Sequence, residues 1–313
     1  MIRLALNTIK KKMNSVKKTA QITNALRLVS TTKYNRIITE AEHYDQYAQK
    51  VKTMVSNLIT PDMLYESKHI APRASHPSTN HNRIDYHVMM QVRPVKKTGF
   101  LVITADKGLC GSYNSALLKE FHDFIRPMDK ESIEVVAIGR PIVKFCQKHQ
   151  LNIVSERYHL SDYPNFTEVQ TIIKAAIRFF QNNIYDELYL VYNYAPNVLK
   201  NVKRIEKILP ITRDNIADDV ADANQPSGPR PLIEPDIDSV LDVILPLYAE
   251  TQIYGAIIDA KTAEQASRMQ AMGQATDNAK SLIDDLHQEY HHERQKKITN
   301  EIIEIISGAN AQN

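Results

Sequence analysis

The chain of 313 residues is poor in glycine, with eight in all and none before Gly99; average usage is roughly 7%. Proline is absent from the first 60 residues and again after Pro246. The usual chain breakers are therefore missing from both ends, which excludes a terminal architecture of short elements and tight turns. Tryptophan is absent, and cysteine occurs twice, at Cys110 and Cys146. Two such cysteines exclude a disulfide framework and read as buried, reduced thiols. No run of 18 apolar residues exists, so no helix of the sequence is expected to span a membrane. The opening MIRLALNTIKKK lacks the apolar core and small-residue cleavage site of a secretory signal, and a cytoplasmic location is expected.

What is present is unevenly charged. The net charge is +3. Residues 1–60 carry 11 Lys/Arg against 3 Asp/Glu, whereas residues 214–251 carry 1 Arg against 9 acids and residues 252–313 carry 6 bases against 9 acids. A basic stretch alone is compatible with nucleic acid or an anionic bilayer. Here its charges fall on several faces and aromatic residues are scarce before Tyr34, so helix pairing or a protein partner is the better reading. Opposite charge at the two ends suggests that the ends meet.

Both ends carry a 3.5-residue apolar repeat. The first frame runs Ile9, Met13, Val16, Ala20, Thr23, Arg27, Ser30, Tyr34, Ile37, Ala41, Tyr44, Ala48, Val51, Val55, Leu58. Beside its polar middle lies a second stripe, Ile22, Leu26 and Val29. The second frame runs from Ile237 through Leu241, Ile244, Tyr248, Thr251, Gly255, Ile258, Thr262, Gln265, Met269, Met272, Thr276, Ala279, Ile283 and Leu286 to Tyr290. Such repeats predict supercoiled helices. Pro61 should end the first helix, and Pro246 should kink the second or mark its start. Small residues at Gly255 and Ala279 would admit a close partner. After the polar run 291–297 the apolar positions return one residue out of frame, at Ile298, Ile302, Ile303, Ile305 and Ile306, so the last segment should leave its first partner. Sixty helical residues span about 90 Å, against a radius of gyration near 20 Å for a compact globule of this length. The expected object is an intramolecular antiparallel coiled coil, with a coiled homodimer as the competing arrangement.

Residues 98–213 change character. Short strands are expected at Phe100–Thr104, Val135–Ile138, Asn152–Ser155 and Leu188–Tyr194, alternating with helices at Asn114–Phe124, Ile142–His149 and Thr167–Phe180. That alternation predicts a small α/β domain with a mostly parallel sheet. The expected divisions are a helix over 1–60, a linker over 61–97, the α/β domain over 98–213, an acidic and Pro-rich insertion over 214–235, and a helix over 236–313. The fold class is thus α/β plus long coiled coil.

Several constellations could carry chemistry. The turn Asp106-Lys107-Gly108-Leu109-Cys110-Gly111-Ser112 follows a strand, as phosphate cradles do, but matches neither GxGxxG nor GxxxxGK[ST]. It reads as a structural turn. His287, His291 and His292 contain an i, i+4 pair without HExxH or an implied third ligand, and read as a solvated face. Asp218, Asp219 and Asp222 lack the EF-hand spacing. No catalytic residue, cofactor site or metal site is assigned.

Three segments resemble the gamma subunits of F-type ATP synthases: residues 8–36 (TIKKKMNSVKKTAQITNALRLVSTTKYNR), 101–114 (LVITADKGLCGSYN) and 265–309, with RMQAMGQATDNA and RQKKITNEIIEI. The resemblance covers about four-fifths of the chain and leaves out 62–95 and 212–231. It implies two long antiparallel helices around a Rossmann-like domain, acting as a rotor shaft that couples proton flow to ATP synthesis or hydrolysis. The implied partners are the alpha and beta subunits of the head, the epsilon subunit and the c-subunit ring, with no nucleic acid and no direct membrane insertion. Catalysis would lie on beta, and the chain would sit peripherally on the cytoplasmic face of a bacterial cell membrane. The implied contacts to the alpha/beta ring are Arg294, Gln295, Thr299, Glu301, Ile302, Ile305 and Ile306 near the end, and Leu26, Val29 and Lys33 on the first helix. A freestanding coiled-coil scaffold is the alternative, which leaves the α/β domain unexplained.

Overall fold

The computed structural model describes residues 2–58, 89–212, 234 and 237–310. Most of the expected linker over 61–97 and nearly all of the insertion over 214–235, with Asp218, Asp219 and Asp222, lie outside the described residues, as does the helix stop expected at Pro61. Contacts group the chain into two units, one of Met1–Thr32, Leu109–Gly111 and Arg268–Asn313, the other of Lys33–Gly108 and Ser112–Ser267.

The second unit holds the sheet. Its strands are β1 (Thr98–Ile103), β2 (Ile133–Ile138), β3 (Asn152–Arg157), β4 (Glu187–Asn197) and β5 (Lys200–Leu209), in the order β3-β2-β1-β4-β5. The first four are parallel, and β5 returns antiparallel beside β4. The intervening helices are α2 (Tyr113–Ile125), α3 (Arg140–His149) and α4 (Phe166–Gln181). Every residue of β1 and β2 is buried, as a sheet covered on both faces requires. Phe100, Val102, Val135 and Ala137 point to one face, where Leu117 and Phe121 of α2 and Ile142 and Cys146 of α3 close the core. Leu101, Ile103, Val136 and Ile138 point to the other, against α4 and two stretches of the long helices. The sequence reading missed β5. It is an edge strand on which Lys203 and Glu206 are exposed beside half-buried Val202 and Ile205, an edge guarded by charge.

The long helices are α1 (Ile2–Leu58) and α5 (Ile237–Asn310). α5 runs through Pro246, so that proline is not its start. Every position of the first frame from Ile9 to Leu58 is buried or half-buried, as is every position of the second from Leu241 to Tyr290. In the second unit Val51, Val55 and Leu58 of α1 join Leu241, Leu245, Ala249 and Ile253 of α5 in one core. Tyr44 donates a 2.6 Å hydrogen bond to the carbonyl of Thr251 and lies 3.5 Å from where a Cβ on Gly255 would sit.

In the first unit the register is set by Thr23 and Thr276, whose hydroxyls share a 2.8 Å hydrogen bond, and by Gly273, which faces Arg27. Counting outward from these pairs, Ile2, the first helical residue of α1, falls opposite about residue 297. The chain's own two ends therefore pair, antiparallel, as expected. On α5 here the ion pairs Asp277–Lys280, Glu293–Lys296 and Lys297–Glu301 each lie within that helix. The Thr23–Thr276 hydroxyl pair spans the two helices, which these three ion pairs do not. A Cβ at Gly273 would meet Arg27 Cδ at 3.5 Å, an ordinary contact. Gly273→Ala should therefore raise stability by about 0.5–1 kcal/mol through helix propensity, read as a higher urea midpoint at unchanged m-value.

Candidate partner-contact surfaces

The expected contact residues fall into three settings. On the last turns of α5, Arg294, Gln295 and Thr299 are exposed, and Glu301 is exposed while paired to Lys297 at 3.3 Å. Around them Ile298, Ile302, Ile303, Ile305 and Ile306 are 44–72% exposed. Five adjacent exposed isoleucines form a contiguous apolar surface, the usual mark of a protein contact. They lie off the frame that packs: in this stretch the less exposed positions are Glu293 and Lys297, which continue from Tyr290.

A second patch lies on α1. Ile22 and Val29 are exposed, while Leu26 between them is half-buried. Leu28, which the sequence reading did not single out, is exposed as well. The Thr23–Thr276 register puts Leu26 near residue 273, about 21 residues from Arg294, or roughly 30 Å along the axis. The two sets of predicted residues are therefore two surfaces, not one site.

Lys33 stands apart, in the second unit. Its Nζ donates to Asp162 at 2.6 Å, and Lys107 reaches the same carboxylate at 3.0 Å. Burial alone would raise the Asp162 carboxyl, but the hydrogen bonds and charges of Lys33 and Lys107 overcome this and hold it below its usual value. A lysine committed to its own chain's α/β body is less available to a partner than the exposed α5 side chains.

The turn after β1 is a joint. Asp106 accepts the backbone N–H groups of Arg140 (2.8 Å) and His159 (2.7 Å), so it ties the end of β1 to the starts of the segments after β2 and β3. Asn114 exchanges hydrogen bonds with both backbone groups of Ala105. In doubly wound sheets, ligands enter where the strand order reverses, here between β1 and β4. That place is filled from within: the Tyr113 carbonyl accepts from Asn193, and its hydroxyl donates to Ala260 of α5 at 2.8 Å. A cavity of about 300 Å³ beside the turn is lined by Lys107, His159, Asp162, Lys261 and Glu264 among others, and its lysines are already paired with carboxylates. In the first unit Leu109 has a positive φ of 64° and is 61% exposed. An exposed apolar residue in a left-handed backbone points to a contact role, and no local pattern announces it.

Cys110 and Cys146 are both buried and unbridged. Burial pushes the Cys146 thiol up to about 12, which leaves it inert at neutral pH.

A doubly wound α/β sheet and long paired helices in one chain define a protein of the mixed α/β and coiled-coil class. The family model described as ATP synthase matches residues 5–312. The ATP synthase gamma chain of Lactiplantibacillus plantarum is 41% identical, over 98% of this chain and 99% of its own length. That of Lacticaseibacillus paracasei is 44% identical over 98% of both. Among solved structures, a chain of the Euglena gracilis mitochondrial ATP synthase (OSCP/F1/c-ring) matches with a TM-score of 0.62 at 15% identity, over 98% of this chain and 94% of that one. A chain of the Tetrahymena thermophila central stalk/c-ring matches at 0.58 and 21%, over 81% and 99%. These two likenesses carry the fold. The chain belongs to the ATP synthase gamma chain family, and is a subunit of that complex.

Proposed function

We propose that the chain is the rotor shaft of the complex, carrying rotation between a membrane ring of c subunits and the alpha and beta subunits of the head, with epsilon as a further partner. The observation that carries this reading is the end of α5, a helix whose packed frame stops and whose isoleucines stay exposed beside Arg294, Gln295 and Thr299. An apolar surface can turn inside a sleeve without direction-specific bonds to break. Flanking polar groups can then make contacts that differ between rotational positions. A single asymmetric helix pair offers a different face to each of three equivalent beta subunits, and so biases their conformations differently. The functional parts follow the chain as helix 1–60, α/β domain 98–213 and helix 236–313. Peripheral attachment on the cytoplasmic face of the cell membrane fits the bacterial origin of the relatives.

In this reading the shaft has no catalytic residue of its own. Replacing Arg294 and Gln295 together with Ala should lower the ATPase activity of the reconstituted complex or weaken its assembly, while the purified chain alone hydrolyses no ATP. Unchanged turnover in an intact complex would remove these two residues from the coupling contact, and hydrolysis by the pure chain would refute the non-catalytic role.

A further inference from the structure

Among the described residues no group of three or more His, Cys, Asp or Glu side chains is placed to hold a metal ion. Two histidine pairs nonetheless bring their rings together. His122 and His149 have centroids 4.9 Å apart, but Phe145 packs against His149 at 4.3 Å, and Lys130 and Lys148 add positive charge beside it. His287 and His291 stand one turn apart on α5, both exposed, with centroids 5.9 Å apart and ring planes 27° from parallel.

We propose that His287 and His291 form a two-histidine chelate for a divalent transition-metal cation of the zinc, nickel or copper class, completed by water. Side chains at i and i+4 share one face of a helix, which is how paired histidines on helices hold zinc. A metal about 2.1 Å from a ring nitrogen lies roughly 3.2 Å from that ring's centroid, so two ligating rings can be separated by up to roughly 6.4 Å. The observed separation falls within that span. Local charge does not oppose a cation: residues 281–293 contain Asp284, Asp285, Glu289 and Glu293 and no Lys or Arg, while Glu293 is paired to Lys296 and Arg294 follows one turn after His291. Lys10, Lys11 and Lys12 of the opposing helix are exposed, which leaves their charge in water. Imidazole selects borderline cations over magnesium and calcium.

The test uses the purified full-length chain without a histidine tag. Zinc or nickel is titrated by calorimetry, and the histidine ring signals are followed by NMR during nickel addition. One saturable step is expected, with the His287 and His291 signals broadened first and amide exchange slowed over residues 284–295. Magnesium should do none of this. His291→Gln should abolish the step while leaving helicity unchanged by circular dichroism, and His149→Gln should leave the step intact. Absence of a saturable step overturns the proposal. So does its survival in His291→Gln, or its loss in His149→Gln, which would move the site to the other pair.

Discussion

Replacing Gly139 by alanine is expected to destabilise the folded chain by about 3–5 kcal/mol, which for a body of this size lowers Tm by roughly 10 °C. Gly139 sits between β2 and α3 with φ +95°, a region L side chains rarely enter. A Cβ there would be driven into the Thr104 carbonyl oxygen and would lie 2.6 Å from Thr104 Oγ1. Neither atom is free to yield. The Thr104 N–H and hydroxyl both donate to the Ile138 carbonyl, at 2.8 and 2.9 Å. Gly139 in turn donates its N–H to the Arg157 carbonyl at 2.9 Å, so the clash reaches β1, β2 and β3 together. Gly111 is the internal control. It also has a positive φ, of 61°, but a Cβ there would meet only Ala271 at 3.6 Å, so Gly111→Ala should cost only about 1 kcal/mol. Thermal melts of both variants settle the comparison, and equal losses would defeat the explanation by close approach.

The second large effect concerns pH. Asp259 of α5 is pushed up to about 7, first by burial and then by the charge of Asp45, with Glu206 adding and Arg204 opposing. The groups facing it are Asp45 on α1, Tyr192 on β4, and Arg204 and Glu206 on β5. In the unfolded chain the carboxyl ionises near its ordinary value of 3.8. Between about pH 4 and 7 the folded state therefore holds a proton that the unfolded state has lost. The associated stability is complete below pH 4, falls as pH rises, and is gone above pH 7. The span is about 4 kcal/mol. Asp259→Asn should flatten this slope and be the more stable protein at pH 8, as measured by urea midpoints between pH 5 and 8. A variant whose slope matches the unsubstituted chain would show that another group carries the dependence.

The helical ends were legible because burial follows a period that sequence displays. The frames that contain Ile9, Thr23, Tyr44 and Leu58, or Leu241, Thr262 and Leu286, are the ones that pack. The α/β elements were legible where both faces of a strand are covered, as in β1 and β2, since such strands read as apolar runs. β5 escaped because Lys203, Arg204, Glu206 and Lys207 break up its apolar residues, whereas β3, the other edge, keeps Ile153 and Val154 adjacent. The exposed isoleucines of α5 were foreseeable from their loss of frame. That they lie roughly 30 Å from Leu26 and Val29 was not, because the offset depends on which residues of two distant helices meet. Nor could local sequence show that Lys33 is taken by Asp162, 129 positions away.

One feature of the second unit bears on how force enters α5. The phenol of Tyr44 grips the Thr251 carbonyl and that of Tyr113 the Ala260 carbonyl, while Tyr254 reaches back to the carbonyl of Pro164 at 3.0 Å. Two of these grips fall on the main chain of α5, nine residues apart, and come from different elements. A twist delivered to the α/β body thus reaches the helix through its backbone, like a spline cut into an axle. No single side-chain change on α5 at residues 251 or 260 would disengage it; removing the phenols of Tyr44 and Tyr113 would.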